Sequence, residues 1–125
     1  MKRAVFGWAA LLLAGTAAAS SHIVDLQWRE GRFSHEASVP AGKFVEVCGA
    51  LSSGEVVDWS FDGAGATDFN IHYHVGKDTS YPVKQDAVSK ASGRFEAPKR
   101  ETYCWMWTNR GSASVGLTIR LQQVR

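Results

Sequence analysis

The sequence has no internal repeat, no low-complexity linker and no change of composition that would mark a second domain. The absence of a regular repeat excludes a coiled coil or a collagen-like rod. A hydrophobic fraction of 45% also excludes a disordered polymer, which could not bury enough apolar surface to offset the entropy of folding. The 125 residues therefore predict one small globular domain.

Long hydrophobic runs are absent outside the first segment of the chain. Residues 1–19 begin with Lys2 and Arg3, continue with an apolar run and end in small residues, which is the pattern of a secretory signal peptide. The run is shorter than the roughly 20 residues of a membrane-spanning helix, and no cysteine follows it as a lipid attachment point. We expect cleavage to leave residues 20–125 as a periplasmic or secreted domain without a membrane span.

Clustered basic charge is also missing. Loss of Lys2 and Arg3 with the signal peptide leaves twelve basic and twelve acidic residues. Affinity for a phosphate backbone grows with the number of phosphates that are neutralised. The sequence therefore predicts a protein that does not bind nucleic acid.

Motifs for hydrolase or transferase chemistry are not found either. The chain has no Gly-x-Ser-x-Gly elbow, no phosphate-binding loop and no carboxylate pair tied to a pocket. We therefore expect a protein that is not an enzyme.

The chain from Ile23 onward shows the alternation of β-strands and no helical apolar period. Alternating or apolar runs occupy residues 24–28, 43–48, 57–61, 69–75, 93–96, 102–108 and 113–121, and His35 lies in a further predicted strand. Turns are predicted at residues 52–54, 63–65 and 109–112 because these are rich in Gly, Ser and Asn. About eight strands in one domain predict an all-β fold, a single antiparallel two-sheet β-sandwich.

Several short motifs occur in the order found in a known family. They lie at residues 39–42, 51–55, 68–71, 93–95 and 103–109. Together they resemble the GOLD domain of secretory-pathway cargo receptors over most of residues 20–125, which implies a β-sandwich. The transmembrane helix and coiled coil of those receptors are missing here.

The resemblance also implies a cysteine pair between an early strand and a late tyrosine-containing strand. Aligning on Tyr103 and Asn109 puts Met106 at the late cysteine's place and Cys104 two residues earlier, on the same strand face. A disulfide between Cys48 and Cys104 is therefore implied, and an oxidising compartment permits it.

Two histidines are separated by one residue in the predicted strand 69–75. Alternation directs Ile71 and Tyr73 to the core and directs Asn70, His72 and His74 away from it. The two histidines are then about 7 Å apart at their roots, close enough to bind one ion. The other interpretation is that both are ordinary surface histidines.

Residues 103–107 combine sulfur and aromatic side chains. Alternation places Cys104 and Met106 on one face and Tyr103, Trp105 and Trp107 on the other. A hairpin with residues 113–121 would put the aromatic rings in the core and the sulfur atoms beside the histidines. A register shift of one residue would reverse this assignment.

Imidazole and sulfur together are typical ligands of a soft ion such as Cu(I). The predicted metal ligands are His72, His74, Met106 and, if it is reduced, Cys104. We expect Trp105, Trp107 and Tyr73 to line this site. A disulfide would remove Cys104 and leave the other three ligands.

His22 depends on where the signal peptide is cut. Cleavage after Ala19 leaves Ser20-Ser21-His22 as a terminal site suited to Cu(II) or Ni(II). Cleavage after Ser21 puts His22 at the terminus, where its amine and ring could chelate one copper ion. His22 could also lie near a frayed end without binding a metal.

The sequence therefore supports three functional hypotheses. The leading one is a periplasmic copper-binding protein or metallochaperone that passes the ion to a membrane transporter or cuproenzyme. The alternative is a GOLD-like protein-protein interaction module with a structural disulfide and no metal. A third hypothesis, an oxidative copper enzyme, requires His22 at the mature terminus.

Overall fold

The structure is a computed structural model that describes residues 20–125, so the predicted signal peptide at residues 1–19 lies outside the described residues. The described residues form seven strands: β1 (His22–Asp25), β2 (Arg32–Val39), β3 (Phe44–Leu51), β4 (Val56–Val75), β5 (Asp78–Glu96), β6 (Glu101–Thr108) and β7 (Val115–Val124). This part of the chain contains no helix that could cross a bilayer.

The strands form one hydrogen-bonded network that folds into two layers. The strand order is β1-β3-β6-β4-β7-β2. Strand β5 is not part of this order and pairs with β4. The first half of β4, residues 56–63, pairs with β7, whereas residues 68–72 pair with β6. The first layer therefore contains β2, β7 and the start of β4, and the second contains β1, β3, β6 and the end of β4.

Aromatic side chains join the two layers. The ring of Phe61 in the first layer lies 4.9 Å from Phe69 and 5.5 Å from Trp107 in the second, measured between centroids. Aromatic pairs at these separations add to the stability gained from burial. The largest fully buried side chains include Trp105, Trp107, Tyr103, Phe61, Phe69, Leu51, Ile71 and Ile119.

The all-β sandwich is confirmed, with differences in detail. There are seven strands and not eight, and β1 runs parallel to β3, so the network is mixed. The predicted hairpin between β6 and β7 is wrong, because β6 pairs with β3 and β4 while β7 pairs with β2 and β4. The core assignment of Trp105 and Trp107 is nevertheless correct, since both layers face the same interior.

Asn109 anchors the crossing from β6 to β7. Its fully buried amide donates hydrogen bonds to the carbonyl oxygens of Val39 and Ala113, and its side-chain oxygen accepts one from the Gly111 amide. A buried amide whose polar groups are paired in this way fixes the path of the chain. The predicted loop at residues 109–112 is confirmed.

The glycines at residues 63–65 do not form the predicted turn. Strand β4 continues through them and changes its partner from β7 to β6. A Cβ atom on Gly63 would lie 2.8 Å from the carbonyl oxygen of Gly65 and 3.2 Å from that of Ser89. Gly63 thus permits a close backbone approach at the bend, one of the two roles that a glycine has inside a strand.

We predict that Gly63→Ala destabilises the protein by about 1–3 kcal/mol, because the added methyl group meets backbone that has no rotamer to change. Gly116→Ala is the matched control, since nothing lies within 4 Å of a Cβ at that position. Urea denaturation of both variants measures the difference. Equal midpoints would show that the bend accommodates a side chain.

Candidate functional site

A disulfide joins the middle of β3 to the middle of β6. Cys48 and Cys104 are directly paired, with their Cα atoms 4.1 Å apart, and the described residues contain no free cysteine. The predicted pairing is confirmed. In this state the sulfur of Cys104 is not available as a thiolate ligand.

Two rows of side chains cross the outer surface of the second layer. One row runs from the disulfide to His72, which pairs with Cys104. The other runs from Glu46 through Met106 to Asn70. We call this surface the histidine face; it comprises Glu46, Asn70, His72, His74, Met106 and the disulfide.

His72 has a specific polar partner at each ring nitrogen. Its Nδ1 lies 2.7 Å from Oδ1 of Asn70, and because an amide oxygen only accepts, Nδ1 is the donor. Nε2 then carries the lone pair and lies 3.5 Å from Oε2 of Glu46. Only 6% of the His72 side chain and 12% of the Glu46 side chain are exposed.

Burial shifts both groups toward their neutral forms. Desolvation lowers the pKa of His72 below 6.5, and the nearby His74 lowers it further. Desolvation also raises the pKa of Glu46 above 4.5, while His74 acts in the opposite direction. A neutral imidazole with its lone pair at Nε2 is the form that binds a metal ion.

His74 lies next to His72 but is open to solvent. The two ring centroids are 5.2 Å apart in an edge-to-face arrangement, and Nδ1 of His74 is 3.2 Å from the Thr79 hydroxyl. The ring of Tyr81, on β5, lies 5.8 Å from that of His72. The predicted outward direction of both histidines agrees with this arrangement, and Met106 lies on the same face.

The other predicted site residues lie elsewhere. Trp105 and Trp107 are buried in the core, and Tyr73 packs against Tyr103, with centroids 5.2 Å apart. The sheet thus separates these three rings from the histidine face, in contrast to the prediction that they line the site. Alternating side chains of β6 point to opposite sides of the sheet, so Trp105 and Trp107 cannot line the same site as Met106.

His22 is also remote from the histidine face. It is exposed on β1, and β3 and β6 lie between β1 and β4. Three strand spacings amount to about 14 Å. The structure therefore does not bring His22 together with His72 and His74.

Sequence reasoning missed Glu46, and it placed Asn70 on the outward face without giving it a role. Each precedes a recognised residue by two positions, Glu46 before Cys48 and Asn70 before His72, and so shares its strand face. Applying the alternation to both cysteine strands would have found Glu46. In residues 20–125, Glu46, His72 and Cys104 form the only group of three His, Cys, Asp or Glu whose ligand atoms lie within 4.8 Å of one another.

Solved structures with a similar fold include two periplasmic inhibitors of g-type lysozyme. The inhibitor of Aeromonas hydrophila is 14% identical, with a TM-score of 0.64 over 84% of this chain and 98% of that one. The inhibitor of Salmonella Typhimurium is 12% identical, with a TM-score of 0.63 over 84% of this chain and 100% of the other.

A third similar structure is the pre-peptidase C-terminal domain of a Bacillus anthracis collagenase, at 11% identity and a TM-score of 0.64 over 82% of this chain and 96% of that domain. No protein-family profile and no curated relative matches the sequence. These likenesses establish a shared fold. They confirm the sandwich that the GOLD resemblance implied, but not the GOLD family itself.

We predict that replacing both Cys48 and Cys104 by Ser lowers the free energy of unfolding by about 4 kcal/mol, because the link spans 56 residues and its loss frees the unfolded chain. Urea denaturation of the double variant and of the oxidised protein measures the effect. A thiol assay on the unfolded oxidised protein should find no free thiol. Two free thiols, or an unchanged stability, would contradict the prediction.

We predict that His72 titrates below pH 6.5 in the folded protein. Since the unfolded chain then takes up this proton first, the contribution of His72 to stability is full above about pH 6.5 and declines as the pH falls through that value. NMR titration of the imidazole signals, assigned with His72→Gln, gives the midpoint. A midpoint at or above 6.5 would contradict the expected effect of burial.

Proposed function

We propose that this chain is an exported, non-enzymatic module that binds another protein. The observation that carries the proposal is that its sandwich corresponds to nearly the whole length of two periplasmic lysozyme inhibitors. Both inhibit another protein, a g-type lysozyme. Because a fold hosts many functions, the proposal also needs a surface that could contact a partner.

The export of this protein has two independent supports. The first 19 residues have the pattern of a signal peptide. The disulfide between Cys48 and Cys104 is of a kind that persists in oxidising compartments. A periplasmic or secreted location also agrees with that of the two inhibitors of similar fold.

The hairpin formed by β4 and β5 carries exposed apolar side chains near its turn. Val75 is 46% exposed and Tyr81 is 54% exposed, and the Lys84 ammonium lies 5.9 Å from the centre of the Tyr81 ring. Tyrosine is enriched in protein interfaces because it buries a large area with few rotatable bonds. We call Val75, Lys77, Tyr81 and Lys84 the hairpin end and propose that it contacts the partner.

The outer edge of β5 favours contact through side chains over addition of a strand. Among the strands of residues 20–125, β5 pairs only with β4, but Pro82 and Lys84 lie on it. Proline and lysine are residues by which proteins prevent pairing at a sheet edge. The partner is therefore expected to contact the hairpin end from both faces, because Val75 shares the strand face of Tyr73 whereas Tyr81 lies beside His72 on the opposite face.

We predict that the disulfide-bonded protein binds a g-type lysozyme and slows its lysis of cell walls. The double change Val75→Ser and Tyr81→Ser should weaken binding at least tenfold because it removes the exposed apolar contacts of the hairpin end. Ile23→Ser is the matched control, since Ile23 is 62% exposed on the opposite edge strand. Biolayer interferometry gives the affinity, and a turbidity assay gives the inhibition.

Two results would count against this proposal. Absence of a complex with g-type lysozyme at about 100 μM, where even weak specific contacts are detectable, would exclude that partner. Equal effects of the hairpin-end change and of Ile23→Ser would show that the hairpin end is not the contact surface.

A further inference from the structure

The carboxyl group of Glu46 is largely shielded from solvent, with 12% of the side chain exposed, and has no close polar partner. Among residues 20–125 its one ion-pair neighbour is Nε2 of His72, at 3.5 Å, which is longer than a good hydrogen bond. No described backbone amide or lysine compensates it at this position. Because a carboxyl group shielded from water must stay neutral or gain a positive partner, a cation between Glu46 and His72 would explain the arrangement.

The distance between these two atoms suits two ligands of one metal ion. Nitrogen and oxygen ligands lie about 2.0–2.1 Å from Zn²⁺, and two such atoms at the tetrahedral angle are about 3.3–3.4 Å apart. The separation of 3.5 Å between Nε2 and Oε2 is close to that edge. A small closure of the Glu46 side chain would complete it.

Asn70 holds His72 in the orientation that a metal ligand needs. Its side-chain oxygen accepts the Nδ1 proton of His72 at 2.7 Å, so Nε2 is left unprotonated toward Glu46. Histidines that bind metals commonly donate their other N–H to an oxygen in this way, which fixes the tautomer and the ring plane. The hydrogen bond is thus part of the case for a site.

His74 can supply a third ligand once its ring turns toward Glu46 and His72, since in residues 20–125 the only group of three such ligand atoms within 4.8 Å of one another is that of Glu46, His72 and Cys104. Its ring lies 5.2 Å from that of His72 and is exposed, and its hydrogen bond to Thr79 is a surface contact that rotation of the ring can break at little cost. A fourth position would then face solvent. Met106 lies between Glu46 and Asn70 in the adjoining row.

We propose that Glu46, His72 and His74 bind a borderline divalent ion of the Zn²⁺ and Cu²⁺ class in the disulfide-bonded protein. The ligand set differs from the one expected for Cu(I), since the disulfide withholds the thiolate and a carboxylate takes its place. Carboxylate and imidazole oxygen and nitrogen atoms favour divalent ions, and among these Cu²⁺ binds more tightly than Zn²⁺. The inference is independent of the proposed partner binding.

The test titrates the purified, oxidised protein with Zn²⁺ alone, and separately with Cu²⁺ alone, against a chromophoric chelator. Glu46→Gln keeps the size of the side chain and removes its charge, and His74→Ala changes an exposed position. Each should weaken binding at least tenfold. His35→Gln is the matched control and should leave the affinity unchanged.

NMR provides a readout that does not depend on the folding of a His72 variant. Zn²⁺ should shift the imidazole signals of His72 and His74 in the unmodified protein and leave those of His35 in place. Unchanged affinity in Glu46→Gln and His74→Ala would overturn the proposal. Binding that appears only after reduction of the disulfide, or a preference for Cu(I) over both divalent ions, would overturn it too.

Discussion

The continuity of strand β4 is the constraint on which the other features of this fold depend. Its first half belongs to one layer and its second half to the other. The same strand therefore connects the two layers, and no loop is needed between them at this point. The bend requires Gly63, because the backbone oxygens of Gly65 and Ser89 occupy the space of a side chain. Phe61 and Phe69, on either side of the bend, then pack together across the core.

The position of the histidine face follows from the same strand. Once Phe69 and Ile71 enter the core, alternation leaves His72 on the outside of the second layer, beside the Cys104 strand. The disulfide fixes β3 against β6, and this register brings Glu46 within reach of His72. The positions of Glu46 and His72 therefore depend on the packing of the core, on the bend in β4 and on the disulfide between β3 and β6.

Local alternation was enough to predict much of this arrangement. It predicts that His72 shares a face with His74 and that Cys104 shares one with Met106, but placing Trp105 and Trp107 inside also relies on a hairpin with residues 113–121 that the structure does not form. It did not reveal which strands pair, because the same apolar face fits a hairpin or two opposed layers. The segment Gly63-Ala64-Gly65 predicts a turn, since glycine serves both turns and close approaches, and alternation does not predict most of β5 because its polar residues cover both faces.

The Glu46–His72 pair is a local conflict in an otherwise consistent design. Two titratable groups are desolvated on the outer face of a well-packed layer, and burial disfavours the charged form of each. Replacing such a pair by apolar residues is often neutral or stabilising, so stability alone does not account for it. The disulfide supplies stability close by, on the neighbouring strand, which offsets the cost of the pair.

Conflicts of this kind concentrate at functional sites. The ring of His72 lies 5.8 Å, between centroids, from that of Tyr81 in the hairpin end. An ion bound at Glu46 and His72 would therefore lie beside the surface proposed to meet a protein partner.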